Sequence, residues 1–272
     1  MIRIVDVCRA CGSPVSRAFE TLILGRYTVA YFRCQGCQSL QSEPPYWLAE
    51  AYQSAIVATD TGAVMRNLVC HAAIVAVART LKVKGRVLDY GGGTGILCRL
   101  LRDSGFDAYL HDRYAEPLYA RGFGVELDTI RAGEFGMLCA VEVLEHCVNP
   151  AEDVGTLFRL RPQVMFVTTL PYRGEGEGWW YLAAHAGQHV FFYSTACLQQ
   201  FARTYGYDYL GIGQFHIFTA TPMMKAQKVL LRMLLSGVGL RAVRTWVAAT
   251  LGGRHADADS VALAREPTSS PK

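Results

Sequence analysis

Four cysteines near the start of the sequence have the spacing of a metal site. Cys8 and Cys11 form one Cys-x-x-Cys pair, Cys34 and Cys37 form a second, and 22 residues separate the pairs. Four thiolates spaced in this way can close a tetrahedral zinc site. The alternatives are a redox pair, which would not need the second knuckle, or unrelated cysteines. We predict a structural zinc ribbon over residues 1–42, where zinc adds stability that so short a segment lacks.

A glycine-rich turn follows an apolar run in the middle of the chain. Residues 87–95 read Val-Leu-Asp-Tyr-Gly-Gly-Gly-Thr-Gly, and a helical pattern begins at Ile96. Glycines allow a sharp bend and a close approach to a ligand, while the N-terminus of the helix offers free N–H groups to an anionic group. The spacing excludes a dinucleotide fingerprint, because neither Gly nor Ala stands three residues after Gly93.

The pattern Asp-x-Gly-x-Gly-x-Gly resembles motif I of the class I S-adenosylmethionine-dependent methyltransferases. The resemblance implies an α/β fold with a Rossmann-like, doubly wound, mostly parallel seven-stranded sheet over residues 85–222. Asp112 ends the next predicted strand about 20 residues beyond the turn, where a carboxylate can bind a ribose diol; otherwise it is a surface aspartate. The predicted cofactor-binding residues are Asp89, Tyr90, Gly91, Gly93, Gly95, Asp112, Arg113, Val141 and Glu142.

Two carboxylates and an imidazole follow the predicted fourth strand, in the segment Glu-Val-Leu-Glu-His. If Glu142, Glu145 and His146 occupy one helical turn, they share a face and could hold a divalent ion such as Mg²⁺. Similar groups bind metal in ubiquinone-pathway O-methyltransferases and small-RNA 2′-O-methyltransferases, with a further histidine from a later loop. The alternative is that the glutamates shape the cofactor pocket and His146 caps the turn.

A loop between Pro171 and Ser194 contains glycines, aromatic residues and two histidines. Loops of about 20 residues are long for an α/β domain and are usually functional. Its Gly-Gln-His-Val-Phe-Phe-Tyr-Ser segment resembles bacterial methyltransferases of sugar and polysaccharide pathways. We predict His189 as a catalytic base or fourth metal ligand and His185 as a second catalytic candidate, against a structural role in the loop. Three neighbouring aromatic residues either stack on a sugar or belong to the core: Trp179, Trp180 and Tyr181.

The remaining segments are predicted to be helical. Residues 43–84 read as a helical lid, and residues 223–272 as basic amphipathic helices with a flexible tail. Those C-terminal helices suit a membrane surface through 223–254, or packing on the domain or a second subunit. Four lid residues are candidates to line a substrate mouth, or else to pack and cap helices: Trp47, Tyr52, Asp60 and Arg66.

Composition bounds the function only loosely. The chain is 51% hydrophobic and 18% charged with a formal charge of +4, which favours a folded protein but selects no partner. The absence of a signal-like segment predicts a cytoplasmic protein. We predict O-methylation of a sugar, a polysaccharide precursor or another small metabolite. The protein could also form a homo-oligomer. The alternatives are an rRNA methyltransferase with a zinc ribbon, a sugar C-methyltransferase and a non-catalytic cofactor-binding module.

Overall fold

The computed structural model describes residues 6–53, 60–251, 253 and 256–265, with side chains to residue 263. Arg254 and residues 266–272 lie outside the described residues. The flexible tail predicted after Arg254 is wrong for residues 256–265, which form a helix in which Asp259 pairs with Arg102. The strands are β1 (Val15–Ile23), β2 (Tyr27–Cys34), β3 (Leu40–Ser42), β4 (Arg86–Tyr90), β5 (Ala108–His111), β6 (Phe135–Val141), β7 (Val164–Thr168), β8 (Phe191–Phe192), β9 (Asp208–Ile212) and β10 (Phe215–Thr219). The α-helices are α1 (Leu48–Ala51), α2 (Ala63–Thr80), α3 (Ile96–Asp103), α4 (Pro150–Arg159), α5 (Thr195–Tyr205), α6 (Lys225–Leu234), α7 (Gly237–Thr250) and α8 (Ala256–Arg265).

The larger sheet has the strand order β5-β4-β6-β7-β10-β9. β5, β4, β6 and β7 pair in parallel, whereas β10 is antiparallel to both β7 and β9. β6 and β7 are apolar and buried almost throughout, because helices cover both faces of the sheet. Alternate strand residues pack with α2, α3, α6 and α7 on one face and with α4 and α5 on the other. The predicted α/β fold is confirmed, with a mixed sheet.

The prediction of seven strands is wrong for the described residues, since this sheet has six. The predicted third strand, residues 123–127, contributes one isolated parallel bridge between Leu110 and Gly124. A 3-10 turn, Leu127–Thr129, follows directly. In this segment the exposed Gly124 and Glu126 alternate with partly buried apolar residues. Because glycine weakens a strand, the pairing with the edge strand β5 is limited to that one bridge.

The smaller sheet joins the cysteine-rich N-terminal segment to the long loop. Its strands are antiparallel in the order β1-β2-β3-β8, and β8 comes from the end of the loop predicted to be functional. Leu40 pairs with Phe192 and Gln41 with Phe191. The N-terminal segment is therefore hydrogen-bonded, through β3 and β8, to the end of the loop that contains His189.

Helix α2 forms the centre of one helical layer. Its length and hydropathy would suffice to cross a membrane, but half of it is buried inside the fold. It contacts α3, α6 and α7, so its apolar composition is that of a core helix. Six apolar residues of α6, α7 and the positions that directly follow them are buried in the same core: Leu231, Leu235, Leu240, Val243, Val247 and Leu251.

A buried ion pair fastens α8 to α3, and we expect its loss to destabilise the protein. Arg102 donates to both carboxylate oxygens of Asp259, at 2.8 and 2.7 Å, and both side chains are almost fully buried. Asp259→Ala would leave the guanidinium buried without its main partner, so the free energy of unfolding should fall by about 3 kcal/mol. Glu134→Ala, which breaks the exposed pair with Arg86, should cost less than about 1 kcal/mol. Urea unfolding of both variants measures the difference.

The same pair predicts a dependence on pH. The hydrogen bond from Arg102 holds the pKa of Asp259 below its usual value. The contribution of Asp259 is therefore present above the pKa of the unfolded state, about 4, and is lost as the pH falls through the lower folded value. Equal losses for Asp259→Ala and Glu134→Ala at neutral pH would contradict the assigned role of α8.

Candidate active site

The turn between β4 and α3 has the backbone that its glycines predict. Gly91, Gly93 and Gly95 have φ angles of 69°, 56° and 85°. A Cβ at Gly91 would lie 2.6 Å from Val143 Cγ2, and one at Gly95 would lie 2.9 Å from Ala120 Cβ. A Cβ at Gly93 would meet no atom within 4 Å. Gly91 and Gly95 are thus required by packing, whereas Gly93 borders open space that a ligand can enter.

Asp89 lies directly against this turn. Its side chain is fully buried, and its Oδ2 atom has no hydrogen-bond partner among the described residues. That oxygen lies 2.7 Å from where a Cβ on Gly92 would be. Burial raises the pKa of Asp89 to about 7. An unpartnered buried carboxylate oxygen is costly, and a hydrogen-bond donor on a bound ligand would offset that cost.

Asp112 supports the turn from the end of β5. Its Oδ2 accepts a hydrogen bond from the backbone N of Gly93 at 2.8 Å, and its Oδ1 accepts from Tyr114 N and Ala115 N. The carboxylate thus closes the strand, and Oδ2 retains one further acceptor site for a ribose hydroxyl. Arg113 is exposed beside it, and Tyr90 and Val141 end the neighbouring strands.

Glu142 does not belong to the helical turn that its spacing predicts. It follows β6 with a left-handed φ of 53°, while Leu144–His146 forms a short 3-10 helix. The backbone N of Glu142 donates to Thr168 Oγ1 at 3.0 Å, and this hydroxyl donates to Glu142 Oε1 at 2.8 Å. These bonds hold Glu142 to the end of β7, so the i, i+3, i+4 arrangement was the wrong geometry.

Glu145, His146 and His189 nevertheless converge. One ligand atom from each residue lies within 4.8 Å of those of the other two. Glu145 is fully buried, and its Oε2 atom has no hydrogen-bond partner within the described part of the chain. The long loop supplies His189, whose Nδ1 bonds the carbonyl of Tyr181 at 2.7 Å. His146 Nδ1 bonds the hydroxyl of Tyr52 at 2.9 Å, and the ring also bonds the backbone of Gln188. The Nδ1 bond of His189 leaves its Nε2 directed to a ligand.

Burial sets the protonation of this cluster. It lowers the pKa of His146 to about 3 and also lowers that of His189, so both imidazoles are neutral near pH 7. Burial, with the charge of Glu145 as the next cause, raises the pKa of Glu142 to about 7. Neutral imidazoles and a buried carboxylate are the forms that bind a metal ion.

Tyr181 connects most of these groups. Its hydroxyl lies 2.6 Å from Glu145 Oε1 and 3.0 Å from Glu142 Oε2, and its carbonyl accepts the bond from His189. The sequence left Tyr181 open between stacking and core, and it proves to be buried beside the glutamates. Trp179 packs against Tyr172 and Phe192, whereas Trp180 is 75% exposed.

The other candidates divide between the site and the core. Tyr52 reaches His146 and stacks on Tyr114 with ring centroids 4.9 Å apart. Trp47 is buried and donates to the carbonyl of Gly187, so it is a core residue. His185 is exposed and lies outside the three-residue cluster. The remaining lid pair, Arg66 and Asp60, forms an ion pair with an N–O distance of 2.6 Å.

The four N-terminal cysteines also converge. Their sulfur atoms lie within 4.8 Å of one another, with Cys8 Sγ 3.8 Å from Cys37 Sγ and Cys11 Sγ 3.4 Å from Cys34 Sγ. Tetrahedral zinc with Zn–S bonds of about 2.3 Å separates sulfurs by about 3.8 Å, so the cluster fits this ion. A fifth thiol, Cys197 of α5, interacts with Cys37; its position in the sequence carried no signal of this contact.

The sequence also matches a known protein family over the region that contains the glycine turn and its carboxylates. A family model described as a methyltransferase domain matches residues 65–211, more than half of the chain. The chain belongs to this methyltransferase family. It is a class I S-adenosylmethionine-dependent methyltransferase. No curated protein matches the sequence of this methyltransferase.

Solved structures similar to this methyltransferase include three with low sequence identity. Magnesium protoporphyrin IX methyltransferase (ChlM) from Synechocystis PCC 6803 with bound SAH is 17% identical, and the match covers 63% of this chain and 90% of that chain with a TM-score of 0.43. A SAM-dependent methyltransferase from Thermotoga maritima is 14% identical, with coverages of 57% and 91% and a TM-score of 0.41. The methyltransferase domain of bacterial CtHen1-C is 22% identical, with coverages of 58% and 100% and a TM-score of 0.43.

One oxygen of the buried Asp89 carboxylate has no hydrogen-bond partner among the described residues. We therefore expect replacement of Asp89 to weaken cofactor binding but to stabilise the free protein at high pH. Asp89→Asn should weaken calorimetric binding of S-adenosylhomocysteine about tenfold, because it removes a charged acceptor beside the turn. The raised pKa means that the folded wild type loses stability as the pH rises from about 4 to about 7. The asparagine side chain does not ionise, so the variant does not lose stability in this way. The melting temperature of the variant minus that of the wild type should therefore be larger at pH 8 than at pH 5.

An exposed aspartate outside the turn provides the control. Asp128→Ala should change neither the affinity for S-adenosylhomocysteine nor the pH dependence of melting. Wild-type affinity in Asp89→Asn would remove Asp89 from the cofactor site. An unchanged difference in melting temperature between pH 5 and pH 8 would contradict the raised pKa.

Proposed function

We propose that this methyltransferase methylates a hydroxyl oxygen of a sugar, a polysaccharide precursor or another small metabolite, using a divalent metal ion. The observation that carries the proposal is the convergence of Glu145, His146 and His189, with Glu145 Oε2 buried and unpartnered in the described structure. A metal ion would satisfy that oxygen and could bind one imidazole nitrogen of each histidine. Glu142 supports this set through the hydroxyl of Tyr181.

The donor set bears on which ion would bind. Mg²⁺ prefers an octahedral set of oxygen ligands, whereas imidazole nitrogens suit the divalent transition ions and zinc. Two imidazoles and one carboxylate therefore favour an ion such as Mn²⁺, Co²⁺ or Zn²⁺ over Mg²⁺, the ion that the sequence suggested as a possibility. When bound, the ion would orient an acceptor hydroxyl and lower its pKa.

The protein's own residues would divide the remaining work. The open side of Gly93 admits the cofactor, and the contact of Gly91 with Val143 brings this turn against the segment that carries Glu145. Methyl transfer is an in-line displacement, so it depends on fixing the acceptor oxygen opposite the sulfonium. The carbonyl of Tyr181 holds His189 in one orientation, with Nε2 as the nitrogen that would bind the ion. If the site holds no ion, the same neutral nitrogen of His189 can take the hydroxyl proton instead.

Aromatic side chains beside the cluster support a sugar-like acceptor. Tyr114 is 62% exposed and stacks on Tyr52, which contacts His146, and Trp180 is exposed next to Tyr181. Flat rings with one open face suit the apolar face of a sugar ring. The cysteine cluster supports structural zinc, and the free thiols of all described cysteines support a reducing compartment such as the cytoplasm.

Metal stoichiometry tests the two proposed ion sites separately. Purified wild type should hold zinc at the four cysteines and a second ion at the histidine cluster, counted by inductively coupled plasma mass spectrometry after loading with Mn²⁺. His189→Ala should lose the second ion and keep the zinc, because the cysteines lie in a different cluster. His185→Ala is the matched control, since this histidine lies on the same loop but is exposed.

A conservative variant sharpens the same measurement. Tyr181→Phe keeps the ring but removes the hydroxyl that positions Glu142 and Glu145, so Mn²⁺ should bind about 10-fold to 100-fold more weakly. A second ion that His189→Ala retains in full would show that the cluster is not a metal site. His189 would then remain as a base without an ion.

The acceptor is tested by transfer of a radiolabelled methyl group into fractionated extract. We expect label in the glycan or small-metabolite fraction, and its loss in Glu145→Gln, because this carboxylate is the buried centre of the site. Label in RNA would replace the proposal with the ribosomal alternative. Cofactor binding without label in any fraction would favour the non-catalytic module.

A further inference from the structure

Helix α6 is apolar on both of its sides. Its inner residue Leu231 is buried in the core, as expected for a helix packed on α2. Its outer side carries Val229, Leu230 and Met233, which share a face because they stand at i, i+1 and i+4. Together with Met224 before α6 and Val238 at the start of α7, they are between 43% and 80% exposed. We call these five residues the C-terminal apolar surface.

Basic residues occur along the same stretch of the chain as this surface. The sequence has no Asp or Glu between Asp208 and Asp257, and the same stretch contains six lysines and arginines. Lys228 pairs with Asp208 at 2.8 Å. Three others are exposed and form no ion pair with any residue that the structure describes: Lys225, Arg232 and Arg241.

We propose that the C-terminal apolar surface docks on an anionic lipid bilayer. Apolar side chains on an exposed helix face can enter the interface of a bilayer, while flanking lysines and arginines bind anionic headgroups. Charge argues against a second copy of this chain as the occupant, because a symmetric contact would bring Lys225, Arg232 and Arg241 of both copies together. Nucleic acid would satisfy the charges but would leave the Val, Leu and Met side chains without an apolar partner.

Helix α7, which begins next to this surface, contacts the start of α2. Arg244 Nη2 of α7 lies 3.4 Å from Met65 Sδ, and Val64 and Met65 are themselves more than half exposed. The next residue, Arg66, pairs with Asp60, and its charge acts on Glu142. An enzyme held at the bilayer in this way could receive an acceptor at the membrane surface, although the docking does not depend on which acceptor is methylated.

Flotation of the full-length protein with vesicles tests the proposal. Binding is expected to phosphatidylcholine vesicles that contain phosphatidylglycerol and not to phosphatidylcholine alone, and it should weaken as salt is added. Val229→Ser with Met233→Ser should reduce binding about tenfold by removing apolar insertion. Lys225→Glu with Arg232→Glu should abolish the preference for phosphatidylglycerol.

Controls separate docking from folding and from self-association. Leu22→Ser replaces a half-exposed apolar residue on β1, far along the chain from α6, and should leave vesicle binding unchanged. All variants should bind S-adenosylhomocysteine as the wild type does, which shows that they are folded. Failure of the wild type to float with anionic vesicles would overturn the proposal. So would a wild-type dimer in light scattering that becomes monomeric in Val229→Ser with Met233→Ser without any vesicle binding.

Discussion

The active site depends on how the end of the long loop is held. Val190 donates its backbone N–H to the carbonyl of Glu145 at 2.9 Å, and its own carbonyl accepts from Ser42 N at 3.0 Å. The guanidinium of Arg9 donates to the same carbonyl at 2.6 Å. These bonds hold His189 next to Glu145. They also connect the N-terminal segment that contains the cysteines to the end of the long loop. Zinc at the cysteines would thus also stabilise the cluster of Glu145, His146 and His189 that we propose as a metal site.

The buried glutamates of the active site lower the stability of the folded protein when no ligand is bound. Two carboxylates share the hydroxyl of one tyrosine, and Glu145 retains a buried oxygen without a hydrogen-bond partner among the described residues. Burying such groups away from water destabilises the charged forms, which is why the pKa of Glu142 is raised to about 7. A divalent cation would reverse that cost, so the same feature that weakens the free protein would favour metal binding.

Local rules explain which parts of the fold the sequence predicts well. The turn at Gly91–Gly95 requires positive φ angles and close packing against Val143 and Ala120, and only glycine satisfies both. The cysteine pairs likewise carry their own geometry in their spacing. By contrast, a helical face for Glu142 was wrong because its hydrogen bonds to Thr168 come from a strand 26 residues away in sequence. The prediction of a strand over residues 123–127 was wrong because a strand needs a neighbouring strand to pair with, and this segment pairs with β5 through one bridge only.

The sequence by itself determined the chemistry that is available: the cofactor turn, the four-cysteine cluster and a histidine-bearing loop beside a Glu-x-x-Glu-His segment. It also determined the alternation of strands and helices, because that alternation follows from local periodicity. Only the tertiary structure decided that Tyr181 joins the two glutamates and His189, that Trp47 is core, and that β8 completes the N-terminal sheet. These contacts link residues far apart in the chain, and no local pattern encodes which distant groups will meet once the layers pack.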